Sequence, residues 1–178
     1  MKRPTTTFGI WIASVVLIPL LTLSGCSGYR LGNVPYKEME GVRSIYVPTV
    51  KNKTLEPSLQ IAATNAILRA IDNDGTYHSA RSSAADATLE VTLSQFSRKP
   101  IRSNRENLTT TIQYRLTIVA TGTLTNHRTG QKVFSELTAT GETDFFVQDD
   151  LQESERQAAP TALDQMAQRL VNQITEGW

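Results

Sequence analysis

The segment Thr109–Thr125, TTTIQYRLTIVATGTLT, has the clearest structural pattern in the chain. Apolar or small side chains alternate with polar ones from Ile112 to Leu124. Because neighbouring side chains of a strand point to opposite faces, this alternation predicts a long antiparallel strand with one buried and one solvated face. The polar sequence NHRTG at 126–130 then predicts a turn, and residues 131–143 return as the partner strand of a hairpin.

Two more strands and two helices complete the predicted elements. Residues Val42–Val50 and Ala87–Phe96 have the composition of strands, and apolar side chains alternate in the second. Apolar residues recur at spacings of three and four within 56–71 and again after residue 150, which predicts two amphipathic helices. Pro160 lies inside the second helical pattern, where it either starts a new segment or kinks the helix.

These elements follow the order strand, helix, three antiparallel strands, helix (β-α-β-β-β-α). The fold class is therefore α+β: a two-layer sandwich in which two helices cover one face of a mainly antiparallel four-stranded sheet. The other face of the sheet is expected to stay exposed and to be rich in Thr, Gln and Arg. The chain contains a single cysteine, Cys26, so packing rather than disulfides must hold the domain together.

The N-terminus has the pattern of a bacterial lipoprotein signal peptide. Lys2 and Arg3 precede the apolar run 8–23, and two small residues precede Cys26. We expect the thiol of Cys26 to accept a diacylglycerol and cleavage to make Cys26 the first residue of the mature chain. The new N-terminus then accepts an acyl chain such as palmitate. An uncleaved helical anchor is the alternative, although the run of 16 residues is shorter than the roughly 20 that span a bilayer.

The predicted segments are a signal peptide at 1–25, a lipidated tether at 26–41 and one α+β domain at 42–178. Ser27 occupies the position where enteric bacteria place Asp in lipoproteins retained at the inner membrane. We therefore expect a lipid-anchored protein of the outer membrane that faces the periplasm. Without the signal peptide the chain has 16 basic and 17 acidic residues, and this near-neutral balance gives no general case for binding nucleic acid.

Residues that would carry catalysis or metal binding are sparse. The two histidines, His78 and His127, lie in turn-like segments without other ligands at metal-binding spacing. The sequence Asp72–Gly75 matches part of a calcium loop, but the end positions of that loop would be Ala70 and Arg81, which cannot bind calcium. Phosphate loops, nucleophile elbows and zinc-protease motifs are absent. We therefore expect no enzyme activity, no metal and no cofactor other than the N-terminal lipid.

A cluster of cations lies in the polar segment 97–107, which is predicted to be a hairpin loop. Its members are Arg98, Lys99, Arg102 and Arg105. Because Arg and Lys pair strongly with phosphate, the cluster is a candidate site for lipopolysaccharide phosphates or another anionic partner. The alternative is a solvated loop without a ligand. Arg115 extends the patch, whereas Arg128 and Lys132 belong to the opposite end of the hairpin.

Several short motifs resemble those of the LptE family of lipopolysaccharide-assembly lipoproteins. They are the opening GCSGYRL at 25–31, the strand IYVP at 45–48, the turn and helix start NKTLEPSL at 52–59, and the C-terminal VNQI at 171–174 with Trp178. The resemblance extends over the mature chain in the order of its elements.

This resemblance implies a non-enzymatic role in outer-membrane assembly. LptE lipoproteins sit as a plug inside the lumen of a large outer-membrane β-barrel, LptD, and the pair delivers lipopolysaccharide to the outer leaflet. The implied partners are an LptD-like barrel, lipopolysaccharide and, through the lipid anchor, the membrane. The alternative is an outer-membrane lipoprotein that regulates a periplasmic cell-wall enzyme. A tether of about 16 residues reaches no more than about 55 Å, which keeps the domain near its own membrane.

Overall fold

The computed structural model describes residues 37–81, 84–103, 111–147 and 149–176. The predicted signal peptide, Cys26, the first part of the tether and Arg105 lie outside these residues. The described elements are a 3-10 helix at Lys37–Met39, β1 Ser44–Tyr46, β2 Lys51–Asn52, α1 Leu59–Asp74, β3 His78–Ala80, β4 Ala87–Ser103, β5 Thr111–Asn126, β6 Lys132–Phe146 and α2 Leu151–Glu176.

The strands form one mixed sheet in the order β3-β1-β4-β5-β6, and β2 also pairs with β4. The three long strands β4, β5 and β6 make an antiparallel meander. β1 runs parallel to both β3 and β4, and the chain crosses from β1 to β3 through α1. The α+β class is confirmed, since both helices pack with the inner side chains of the sheet into a single core.

The prediction of a four-stranded, mainly antiparallel sheet is wrong in its details. The described residues include the short strands β2 and β3, and β1 has three residues where a strand from Val42 to Val50 was expected. Pro48, which cannot donate a ladder hydrogen bond, lies between β1 and β2. β2 and β3 are too short to show a period of two, which is why the sequence did not predict them.

β4 is longer than predicted. The strand was expected to end at Phe96, but it continues to Ser103 through most of the segment that was predicted to be a loop. Its far half pairs with β5 from Ser97 onwards. Shifts of register mark bulges at Ser94 and beside Pro100, and the second bulge accommodates a residue that has no N–H for the ladder. The loop prediction is therefore wrong for residues 97–103.

α2 covers the inner face of the meander. Leu116, Ile118 and Ala120 of β5 are fully buried in the core that this helix completes. The helix runs from Leu151 to Glu176 with Pro160 inside it. Pro160 therefore does not start a second helix, and it lies on the exposed side of α2.

The Asn-x-Thr turn at 52–54 fixes the chain before α1. Asn52 Nδ2 donates to Glu56 O at 2.7 Å, and Asn52 Oδ1 accepts from the N–H and the hydroxyl of Thr54 at 2.9 and 2.7 Å. Ser58 then adopts a left-handed conformation, with φ of 70°, immediately before the helix. α1 ends at Gly75, whose φ of 77° confirms the predicted glycine cap.

Candidate functional site: the open face and its cationic end

The face of β4, β5 and β6 that points away from the helices is polar, and we call it the open face. Each row across the three strands places one residue of each strand side by side. Four of these rows read Thr92–Thr121–Thr138, Ser97–Thr117–Glu142, Lys99–Arg115–Asp144 and Arg102–Gln113–Phe146. Within the described residues both helices pack on the inner face, so the side chains of these rows are partly or fully accessible.

Arg98 is separated from Lys99 and Arg102 because it lies on the inner face. It pairs across the sheet with the buried residue Leu116. Its Nη1 donates to Glu155 Oε2 of α2 at 2.5 Å, and Glu155 is only 5% exposed. This hydrogen bond raises the pKa of Arg98 above its ordinary value. Arg98 therefore joins β4 to α2, and its role in anion binding stays a prediction that this ion pair disfavours.

Lys99 and Arg102 lie on the open face and are exposed, and we call the end of the face that carries them the cationic end. Lys99 is directly opposite Arg115, where two like charges repel each other. Asp144 offsets this repulsion by accepting two hydrogen bonds from Arg115, Nε to Oδ1 at 2.7 Å and Nη2 to Oδ2 at 2.9 Å. The pair raises the pKa of Arg115 and holds the pKa of Asp144 below its usual value. Within the described residues, neither Lys99 nor Arg102 forms an ion pair.

An exposed aromatic ring belongs to the same end of the open face. Phe146 is 57% exposed and shares a row with Gln113 and Arg102. Sequence reasoning missed this residue, although a signal was present. Phe145 and Phe146 are adjacent in a strand, so one of them must point to each face. Phe145 is buried and stacks with Tyr114 at 5.9 Å between ring centroids, which leaves Phe146 on the open face.

The other end of the sheet uses its polar groups to hold loops together. Arg128 Nη1 donates to Gly41 O at 3.0 Å, and Asn126 Nδ2 donates to Glu38 O at 2.7 Å. Lys132 begins β6 opposite Thr125. These positions confirm that Arg128 and Lys132 lie at the opposite hairpin end from Lys99 and Arg102.

Asp86 anchors β1 to the start of β4 at that same end. Its Oδ2 accepts from the backbone N–H of Arg43 and of Ser44 at 3.0 Å each, and from Ser44 Oγ at 2.9 Å. The backbone bond from Arg43 and the two bonds from Ser44 lower the pKa of Asp86. The ionised carboxylate is thus the form that the fold stabilises.

The described residues offer no metal site, since no group of three or more His, Cys, Asp or Glu converges there. His127 Nε2 lies 3.0 Å from Thr88 Oγ1, while His78 lies on the outermost strand β3. A groove of about 780 Å³ lies between the start of α1 and the first half of α2. Its charged groups largely serve the fold: Arg98 binds Glu155, and Glu153 binds Arg156.

The described helices contain no segment that combines the length and apolar composition needed to cross a membrane. No curated protein sequence matches this chain significantly. Two solved structures share the fold. A protein of the DUF330 family from Xanthomonas campestris is 15% identical, covers 80% of this chain and 90% of its own, and gives a TM-score of 0.54. A minor lipoprotein from Acinetobacter baumannii is 12% identical, covers 76% and 94%, and gives a TM-score of 0.50.

A family model matches residues 42–175, which span all the described strands and nearly all of α2. Its description is LptE, lipopolysaccharide-assembly. The match agrees with the resemblance carried by the short sequence motifs. The chain therefore belongs to the LptE lipopolysaccharide-assembly family, whose members are non-enzymatic components of lipopolysaccharide transport and outer-membrane assembly.

Proposed function

We propose that the chain is an outer-membrane lipoprotein that assembles with a large LptD-like β-barrel and delivers lipopolysaccharide to the outer leaflet. The observation that carries this proposal is the open face, a polar surface of three long strands that neither described helix covers. The interior of an outer-membrane barrel is itself lined by polar side chains. A polar sheet face therefore finds hydrogen-bond partners inside such a lumen.

The dimensions of the open face suit a large partner. β4, β5 and β6 have 17, 16 and 15 residues. At about 3.3 Å per residue, the meander is roughly 50 Å long. Its Thr hydroxyls both donate and accept hydrogen bonds, so they match a hydrated wall of mixed polarity. These features favour contact along many strands of a partner over recognition of one small ligand.

The lipopolysaccharide contact that we propose lies at the cationic end of the open face. Lys99 and Arg102 supply charge for a phosphate, and Phe146 supplies apolar surface beside them. Arg105 belongs to the same predicted site but lies outside the described residues. Because Arg98 is bound to Glu155, we expect it to contribute least.

The function is tested by affinity purification of the C-terminally tagged chain from gently solubilised outer membranes, followed by mass spectrometry. The proposal predicts recovery of a large β-barrel protein at near-equal amount. Recovery of a cell-wall synthase, or of no stable partner, would contradict it.

The lipid anchor is tested separately with Cys26→Ala, which we expect to release the protein from membranes in high salt. Retention of the variant in membranes would refute a lipid-only anchor.

The phosphate contact is tested with the double variant Lys99→Glu/Arg102→Glu. Loss of two charge-assisted contacts should weaken lipopolysaccharide binding by about tenfold or more. The matched control is Lys51→Glu/Lys132→Glu, which changes the net charge equally at exposed positions away from the cationic end. Equal losses in both variants would show that overall charge, rather than this site, attracts the ligand.

A further inference from the structure

β6 is the outermost long strand of the sheet, so one of its edges has no strand neighbour among the described residues. β6 pairs with β5 from Leu137 to Phe146 without a shift of register, and in such an antiparallel pair alternate residues direct their backbone N–H and C=O groups away from the neighbouring strand. The backbone groups of Thr138, Thr140 and Glu142 bind side chains of α2, so the even-numbered residues are the set that faces away from β5. An edge of this kind is a template on which a further strand can add.

Three side chains of α2 occupy the middle of this edge. Gln165 Oε1 accepts from the backbone N–H of Glu142 at 2.6 Å. Arg169 Nη1 donates to Thr140 O at 2.6 Å. Gln173 Nε2 donates to Thr138 O at 2.9 Å. Three successive outward-facing residues of β6 thus each bind one side chain of the helix.

The spacing of the three bonds follows from the geometry of a helix lying antiparallel to a strand. Four residues of α-helix advance about 6.0 Å along the axis, and two residues of strand advance about 6.6–6.8 Å. Side chains at 165, 169 and 173 therefore stay in step with backbone groups at 142, 140 and 138. The close approach of α2 at Gly141, where a Cβ would lie 1.8 Å from Ala162 O, brings the helix near enough for these contacts.

We propose that Gln165, Arg169 and Gln173 form an edge guard that prevents β6 of a second copy of this chain from pairing along residues 138–142. A second copy is the strand donor because every copy presents the same edge. Two such edges can meet antiparallel about a two-fold axis, so that a single interface pairs the free backbone N–H and C=O groups of both strands. An added strand would need the backbone groups that the guard already binds.

The test is the triple variant Gln165→Ala/Arg169→Ala/Gln173→Ala of the full chain, purified in detergent. Alanine keeps the helix propensity high, so α2 should persist. We expect the wild type to remain monomeric and the variant to form dimers in light-scattering measurements as its concentration rises. The matched control is Gln168→Ala/Asn172→Ala, which removes two exposed side chains of the same helix and should leave the protein monomeric.

Amide hydrogen exchange provides a second readout that does not depend on assembly. In the single variant Gln165→Ala at low concentration, the Glu142 amide should exchange about tenfold faster, because a hydrogen bond of typical strength has been lost. The amides of Ala139 and Thr143, which face β5, should keep their protection. A triple variant that stays monomeric, or a Glu142 amide unchanged by Gln165→Ala, would overturn the proposal. If the triple variant loses its helical circular dichroism, the exchange of Glu142 decides alone.

Discussion

Two Arg–carboxylate pairs lie on opposite faces of the same sheet and differ in their surroundings. Arg98 and Glu155 meet on the inner face, where the side chain of Glu155 is only 7% exposed. Arg115 and Asp144 meet on the open face, where both side chains remain in contact with solvent. A buried carboxylate needs its charged partner to offset the free-energy cost of leaving water, whereas an exposed carboxylate is hydrated when its partner is removed. The inner face is therefore fixed by packing, whereas the open face stays accessible to solvent.

The largest loss of stability is expected from Gly141→Ala on the inner face. The added Cβ would meet backbone atoms, 1.8 Å from Ala162 O and 2.7 Å from Met166 N, and backbone cannot move aside without shifting α2. We expect a loss of about 3 kcal/mol in the free energy of unfolding. The matched control is Gly122→Ala, whose Cβ would meet side-chain atoms alone, the nearest being Leu170 Cδ1 at 3.3 Å. Chemical denaturation of both variants should separate them, and equal losses would contradict the close packing at Gly141.

The next largest effect compares the two ion pairs directly. Arg98→Met should cost about 2 kcal/mol, less than for a fully buried pair, because Arg98 itself is partly exposed. Arg115→Met should produce no measurable change in stability, since Asp144 is then hydrated. Adding Glu155→Gln to Arg98→Met should recover part of the loss, because the isolated carboxylate is removed. Thermal unfolding measures all three, and equal losses for the two Arg variants would contradict the difference between the faces.

A smaller, pH-dependent effect is expected at Asp86. Its pKa is lowered in the folded state, so its contribution is present above the ordinary value of 3.8 and is lost as the pH falls through the folded pKa. Asp86→Asn should therefore cost about 1–2 kcal/mol at pH 7, from weakened bonds to Arg43 and Ser44. The difference from wild type should shrink below about pH 4. A difference that is constant between pH 7 and pH 3 would contradict this assignment.

The smallest effect on stability is expected on the open face itself. Thr121 lies in the middle of this face, between Thr92 and Thr138. Thr121→Gln should change the free energy of unfolding by no more than about 0.5 kcal/mol, because the side chain is not part of the core. A loss comparable to that of Gly141→Ala would show that the open face is packed rather than available.

Much of the fold can be predicted from the sequence, because apolar residues recur at regular spacings along its long helices and strands. The alternation in Thr109–Thr125 predicts β5 and its open face, and the spacing of apolar residues predicts both helices. The short strands β1 and β3, which α1 connects, pair in parallel. No local sequence pattern predicts a contact between segments so far apart in the chain. Their position is decided by tertiary packing.

The sequence does not predict the face on which each cation lies, because a bulge in β4 turns the side chains that follow it to the opposite faces. Leu89, Val91 and Leu93 point inward, and strict alternation would also point Lys99 inward. The extra residue Ser94 shifts the register, so that Arg98 points inward and Lys99 outward. The ion pair of Arg98 with Glu155 joins residues 57 positions apart, a contact that no local sequence pattern predicts.

Contact between the open face and a large β-barrel is the step on which the proposed function depends. The most direct measurement places a photo-crosslinking amino acid at Thr121 on the open face or at Gln168 on the exposed side of α2, in living cells. If the open face contacts the barrel, we expect a strong adduct with one large outer-membrane barrel from position 121 and a weaker one, or none, from position 168. Absence of a barrel adduct at 121, with an adduct formed at 168, would contradict it.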